Sequence, residues 1–436
     1  MNSLTEEQQT VIKTLSEGHN VFMTGCGGTG KSHVIKSLET LLREPLSARL
    51  GHEPIIHLTA LTGCAALLLG TKASTLHSWA GVGLGKEDVG DLVWKIQRNG
   101  RAKKHWKQTD LLVIDEISML TVELLEKLDD IGKRMRKCYD RPFGGIQVLL
   151  VGDFCQLPPV MKGMELQFAF ESARWSTIVG KTIELKEIHR QKDEAFQTIL
   201  GEARRGTLSV ASAAALKGRM GLPWKSHRIR PTLLFPKNAE VDQINEANLK
   251  VLKGQRTFEA GFTFAKESLK AKVDLKDEGF LRSVAALDRD AMYRSKLVLA
   301  VGAQVMLIKN LDVAGGLVNG SRGIVIKFGD EGEPIVEFLN GTIIPIKPHD
   351  WPIDGWAGVS RTQYPLRLAW ACTIHKAQGA TLDSALIDIG EGTFEVGQAY
   401  VALSRVKSMD SLFIHNFSSE AFHLHKKVAA FYGLPC

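Results

Sequence analysis

Residues 25–32 read Gly25-Cys26-Gly27-Gly28-Thr29-Gly30-Lys31-Ser32. They follow the apolar Val21-Phe22-Met23 and open a helical stretch at 31–43. The spacing GxxxxGK[ST] between a strand and a helix predicts a phosphate-binding loop. Its glycines let backbone N–H groups curl around a phosphate without Cβ clashes, and the helix N-terminus adds partial positive charge. In such a loop Lys31 reaches the β- and γ-phosphates and Ser32 ligates Mg²⁺. The bland alternative is a glycine-rich turn with an exposed lysine, which the strand–loop–helix context disfavours.

A phosphate loop demands a parallel sheet, and the first 180 residues supply its pattern. Ile55-Ile56-His57-Leu58, Leu111-Leu112-Val113-Ile114 and Val148-Leu149-Leu150-Val151 read as buried parallel strands separated by helical stretches. The third strand delivers Asp115-Glu116 to its C-terminal end, the edge where open α/β sheets bind ligands. There Asp115 would hold Mg²⁺ through water and Glu116 would polarise an attacking water. Gly152-Asp153-Phe154-Cys155-Gln156-Leu157-Pro158-Pro159 follows another strand, placing Gln156 to sense a γ-phosphate. Together these predict an NTPase. A site between two domains also needs cations from the second, and Arg190 and Arg405 are the candidates.

The 436 residues predict two to four domains. Hydrophobic residues at 44% and charged residues at 24% exclude a disordered, coiled-coil or collagen-like chain. No apolar run is long enough to span a membrane. The acidic, polar start at Met1–Glu7 predicts neither a signal nor a transit peptide. The six cysteines form no CxxC pair, which favours free thiols in a reducing compartment. A first α/β domain is expected over 1–181, with a small wedge-like insertion at 80–108. A second is expected over 182–254 and 366–417, around Thr232–Phe235 and Ser384–Ile387. Between them, 255–365 shows short strands and the turn signals Asn319-Gly320 and Asn340-Gly341, as in a small SH3-like β-barrel. Residues 418–436 read as a closing helix.

Thr373-Ile374-His375-Lys376-Ala377-Gln378-Gly379, followed by Thr381-Leu382-Asp383, resembles motif V of superfamily-one helicases. The segments at 115–119, 152–159 and Tyr400-Val401-Ala402-Leu403-Ser404-Arg405 are similar to motifs II, III and VI. Their wording is closest to Pif-type helicases, with RecD-like helicases next, and the likeness spans about residues 4 to 416. The resemblance implies two RecA-like domains with ATP bound between them and single-stranded DNA crossing both. It implies a DNA helicase moving 5′-to-3′ and acting in genome maintenance. It makes Gln8 an adenine reader, although Thr5 and Gln8 also fit a capping box. The expected nucleotide site is thus Gln8, Gly25, Gly27, Gly28, Thr29, Gly30, Lys31 and Ser32, with Gly379. Ala377 stands where many relatives carry Ser.

The same resemblance marks a DNA path. Thr59, Thr62 and Gly63 lie in a strand-to-helix turn whose small side chains and free N–H groups suit phosphates. His77, Thr373, His375 and Lys376 complete the expected contacts. Trp79 stacks on a base or fills the core, and the core is favoured. The net charge is +7, and residues 95–108 carry Lys95, Arg98, Arg101, Lys103, Lys104 and Lys107 with no acid. That run is either a solvated surface or a DNA-attracting one. Single-stranded and forked DNA are the expected partners of a monomer. A RecD-like motor subunit of a nuclease complex, a DNA-stimulated ATPase switch and an RNA substrate stay open.

Overall fold

The computed structural model describes residues 4–70, 73–83, 85–159, 165–224, 228–236, 238–266, 273–291, 293–312, 315–353, 355–356, 358–393 and 395–435. The chain forms two compact units. One comprises Met1–Ser209, Glu395–Ser404 and Phe422–Cys436, and the other Val210–Phe394 and Arg405–Ala421.

The first unit is built on a six-stranded sheet. Its strands are β1 (Val21–Gly25), β2 (Ile56–Ala60), β3 (Ser74–Thr75), β4 (Leu111–Asp115), β5 (Gln147–Val151) and β6 (Lys181–Leu185). They are ordered β3-β2-β4-β5-β1-β6, and every pairing is parallel. Alternation along the strands divides the core between two faces. Val21, Met23, Val113 and Val151 pack with the helices α1 (Glu6–Ser16) and α2 (Lys31–Leu50). Phe22, Leu112, Ile114 and Leu150 pack with the helix Val122–Arg136 on the other face. Helix α2 runs past the expected end at 43, through Pro45, to Leu50. An interior proline costs about 3 kcal/mol. Full burial of Leu42 and Leu46 offsets it at roughly 1.5–3 kcal/mol each.

The basic stretch folds as two helices, Val89–Arg98 and Gly100–Gln108. Leu92, Ile96, Ala102 and Trp106 anchor them in the core, while Lys95, Arg98, Arg101, Lys103, Lys104 and Lys107 are exposed. The exposed Trp94 carries the Arg98 guanidinium 3.5 Å above its ring.

The second unit holds a four-stranded parallel sheet ordered Ala371–Thr373, Thr232–Phe235, Ala385–Ile389, Leu412–Phe417. Inserted in it are antiparallel sheets of five, three and two strands over 256–368. The five-stranded sheet surrounds Val305, Leu307, Val325, Val336 and Leu366, all fully buried. Among the described residues no helix is long and apolar enough to cross a membrane.

Five expectations about organisation are corrected. Residues 181–185 are not the start of the second unit, because β6 pairs along all of β1 and the first unit runs to Ser209. Residues 395–404 also belong to the first unit rather than the second. The inserted sheets extend past 365, since Leu366–Leu368 pairs with Gln304–Leu307. They also enclose a helix, Glu278–Asp290, capped by the Asp277 side chain and buried through Phe280 and Val284. The closing helix is short, Lys426–Tyr432, and Val428 joins the core of the first unit.

Candidate nucleotide and nucleic-acid sites

The phosphate loop lies between β1 and α2, as its spacing predicts. Gly25, Gly28 and Gly30 take positive φ of 146°, 96° and 85°. At Gly28 a Cβ would also lie 2.8 Å from the Arg190 Cβ, so only glycine fits. The Lys31 Nζ donates to Gly25 O at 2.7 Å and to Cys26 O at 2.9 Å. Burial pushes the Lys31 ammonium below its ordinary pKa, and the charges of Asp153, Glu116 and Asp115 oppose that shift. Thr29 Oγ1 donates to Cys26 O at 2.9 Å, closing the loop on itself.

Asp115 ends β4 and is almost buried. Its carboxyl pKa is pushed up to about 7, first by burial and then by the charge of Glu116. Glu116 follows in the left-handed region at φ 57°, and its N–H donates to Asp115 Oδ1 at 2.8 Å. Ser32 is exposed in the first turn of α2. A serine hydroxyl and a carboxylate are hard oxygen donors, the chemistry Mg²⁺ takes when phosphates and waters complete its shell. The residues present therefore fit that ion.

Gln8 serves two partners through different atoms. Its Oε1 accepts from Thr5 N–H at 3.1 Å and its backbone N–H donates to Thr5 Oγ1, forming the capping box of α1. Its Nε2 donates to Thr29 O at 3.3 Å, placing it on the phosphate loop. Gln156 is buried in the loop after β5. Arg190 belongs to the first unit, which corrects its expected origin in the second. Its backbone N–H donates to Gly28 O at 3.3 Å and its Nη1 to Ser404 O at 2.9 Å. Arg405 and Gly379 lie in the second unit, where the buried Arg405 Nη1 donates to Ala377 O and Ala380 O.

Four residues that sequence reading passed over support this site. Asp153 is fully buried and faces Arg204, whose Nε is 3.0 Å from Asp153 Oδ2 and whose Nη2 is 3.1 Å from Oδ1. Tyr400 Oη accepts from Gly27 N–H at 2.7 Å. Tyr432 Oη accepts from Phe154 N–H at 3.1 Å and lies 2.9 Å from Thr24 Oγ1, tying β1 to the loop after β5. Asp153 and Tyr400 sit inside segments already singled out by their motifs, so a signal existed. Nothing local marks Arg204 or Tyr432.

The expected nucleic-acid residues divide. Thr59 is fully buried and its hydroxyl donates to Val113 O inside the sheet, so its side chain does not present itself to a strand. Thr373 is likewise buried, and its Oγ1 caps the helix Ile374–Ala377 by accepting from Lys376 N–H. Thr62 and Gly63 are partly exposed at a helix start, with Thr62 Oγ1 accepting from Ala65 N–H. His77 and His375 are partly exposed and Lys376 is exposed. Trp79 is buried, its ring 4.7 Å from that of Trp106, which favours its core reading.

Behind Trp79 the ring of His57 lies 4.8 Å from that of His105. Thr109 donates its hydroxyl proton to His105 O, so it accepts from His57 Nδ1 at 2.9 Å. Burial, then the charges of His105 and Arg101, lower the His57 pKa from 6.5 to about 4. The unfolded chain thus binds the proton first as pH falls. The stability this neutral ring supports is complete above pH 6.5 and is lost between 6.5 and 4. The full shift corresponds to about 3.4 kcal/mol, and solvent around the partly exposed ring lowers the expected loss to about 2 kcal/mol. Melting temperatures should therefore fall more steeply over that range for the wild type than for His57→Gln. Parallel curves would disprove the contribution.

A family model described as PIF1-like helicase matches residues 3–207, and one described as DNA helicase Pif1, 2B domain matches 284–328. The chain is 39% identical over 435 residues to the ATP-dependent DNA helicase PIF1 of Danio rerio. That match covers 98% of the chain but 63% of the relative's length. The crystal structure of Pif1 helicase from Candida albicans is 38% identical, covers 99% of each chain and superposes with a TM-score of 0.79. Bacteroides Pif1 bound to single-stranded DNA is 27% identical, with a TM-score of 0.65 over 99% of this chain and 97% of that one.

Proposed function

The chain belongs to the PIF1-like helicase family, and we propose that it is an ATP-dependent DNA helicase moving 5′-to-3′ on single-stranded DNA. It would unwind duplex or structured DNA in replication, recombination or repair. The observation that carries the reading is the convergence of charge at one sheet edge. Lys31, Asp115 and Glu116 act on one another there, and the charge of Glu116 also reaches Arg190.

The chain's own groups assign the chemistry. The N–H groups of Gly28–Ser32 receive the phosphates, and Lys31 balances their charge. Ser32 and Asp115 would hold Mg²⁺, which neutralises phosphate charge when bound. Glu116 polarises the attacking water, and Arg190 and Arg405 stabilise charge that develops on the transferred phosphoryl. Gln156 and Gly379 report loss of that phosphoryl, and Gln8 reads the base. Thr62, Gly63, His77, His375 and Lys376 grip the DNA backbone alternately as nucleotide turns over. The exposed cations of 95–107 attract single-stranded or forked DNA. The protein would work as a monomer on DNA in a reducing compartment.

Strand displacement on duplexes with a single-stranded tail at the 5′ or the 3′ end tests this. The wild type should unwind only the 5′-tailed duplex, and Lys31→Ala neither. Unwinding from the 3′ tail would overturn the polarity. DNA-stimulated hydrolysis without unwinding would instead indicate a translocase or a motor subunit.

A further inference from the structure

Walker-type loops exist to offer N–H groups to phosphates, yet here one is already taken by a side chain. Gly27 N–H donates to Tyr400 Oη at 2.7 Å, and Tyr400 is 2% exposed. A Cβ on Gly27 would sit 3.3 Å from the Ser404 Cβ and 3.5 Å from Tyr400 Oη, so this limb of the loop is closely covered. Lys31 is meanwhile turned onto Gly25 O and Cys26 O. The Gly27 amide and the Lys31 ammonium are thus both satisfied within the protein.

The hydroxyl is also the end of a buried chain of hydrogen bonds. Tyr400 Oη donates to Asp153 Oδ2 at 3.4 Å, and Asp153 is held by the Arg204 guanidinium. Burial, then the charge of Asp153, keeps the phenol protonated, so it accepts from Gly27 while donating to Asp153. Arg190 Nη1 reaches Ser404 O, beside the helix that carries Tyr400. Gly28, the next residue, packs against Arg190, so Gly27 lies on the limb beside the arginine assigned above to the transferred phosphoryl.

We propose that Tyr400 is a positioning residue that holds the phosphate loop in a resting form and releases the Gly27 amide to the terminal phosphate of ATP. On release the hydroxyl turns fully to Asp153, so occupancy by a triphosphate is passed to the Asp153–Arg204 pair and the loop that carries Gln156. A diphosphate leaves the Gly27 amide with Tyr400 and sends no such message. This rests on the ATPase reading above and adds the residue that distinguishes ATP from ADP.

Tyr400→Phe keeps the ring and removes the competitor for the amide. In the full chain, affinity for a non-hydrolysable ATP analogue should rise about fivefold, the scale of one neutral hydrogen bond. ADP affinity should change less than about twofold. DNA stimulation of kcat should fall severalfold while KM for ATP falls rather than rises. A purely structural role would lower affinity for both nucleotides together, and an unchanged ATP-to-ADP ratio would overturn the proposal. Tyr400→3-fluorotyrosine weakens the hydroxyl as an acceptor at almost constant shape. It should shift the ratio the same way by a smaller factor and serves if the phenylalanine variant does not fold. Absence of ATP binding in the wild type would instead sink the ATPase reading, so the two failures are distinct.

Discussion

Lys31→Ala should reduce ATP turnover by roughly a thousandfold or more, the scale seen when a preorganised charge is removed from a site of charge transfer. The lysine is well suited to that role. Burial works against its ammonium, so the charge has little water around it to be screened by, while the charges of Asp153 and Glu116 favour its protonated form. Alanine leaves the loop glycines and α2 intact, because Leu38, Leu42 and Leu46 carry the helix. The loss should therefore appear in phosphate release, with melting temperature and single-stranded DNA binding close to wild type. Turnover within tenfold of wild type would remove Lys31 from the chemistry.

Arg204→Ala should produce the largest loss of stability, roughly 3–5 kcal/mol, because it strands a buried carboxylate. The side chain of Asp153 is 0% exposed and that of Arg204 9%. Asp153 also accepts from Cys155 N–H at 3.2 Å, so it cannot simply turn away to water. Replacing both partners, as Asp153→Asn with Arg204→Met, removes the stranded charge and should recover part of the loss. Urea unfolding followed by tryptophan fluorescence reads both variants. A drop below about 1 kcal/mol in the single variant would mean that water reaches Asp153.

What sequence revealed and what it hid follow from the range of the interactions. The phosphate loop and Asp115-Glu116 are legible because each is set within one strand and the turn after it. Asp153–Arg204 and Tyr432–Phe154 are not, because folding alone brings those partners together. The place of the Thr59 hydroxyl was hidden because a strand's pattern does not say which side chains the sheet will enclose, and this one bonds a neighbouring strand. Strand β6, with its mostly exposed Lys181–Glu184, lacks the apolar run of a central strand, so the first unit looked shorter than it is. The helix at 278–290 was hidden among strand and turn signals on both sides, although Phe280 and Val284 stand one helical turn apart.

The first unit is assembled from three stretches of chain, the last being Phe422–Cys436. Phe431 stacks on Phe170 with ring centroids 4.3 Å apart and also contacts Phe22 and Phe154. During synthesis, residues 1–209 therefore emerge long before their aromatic cover is made. Until residue 432 has left the ribosome, β1 lacks its Tyr432 tether and an oily face stays open. A chain that stops before Lys426 would carry the phosphate-loop sequence without the Phe431 ring and the Tyr432 hydroxyl that close over β1 and the loop after β5.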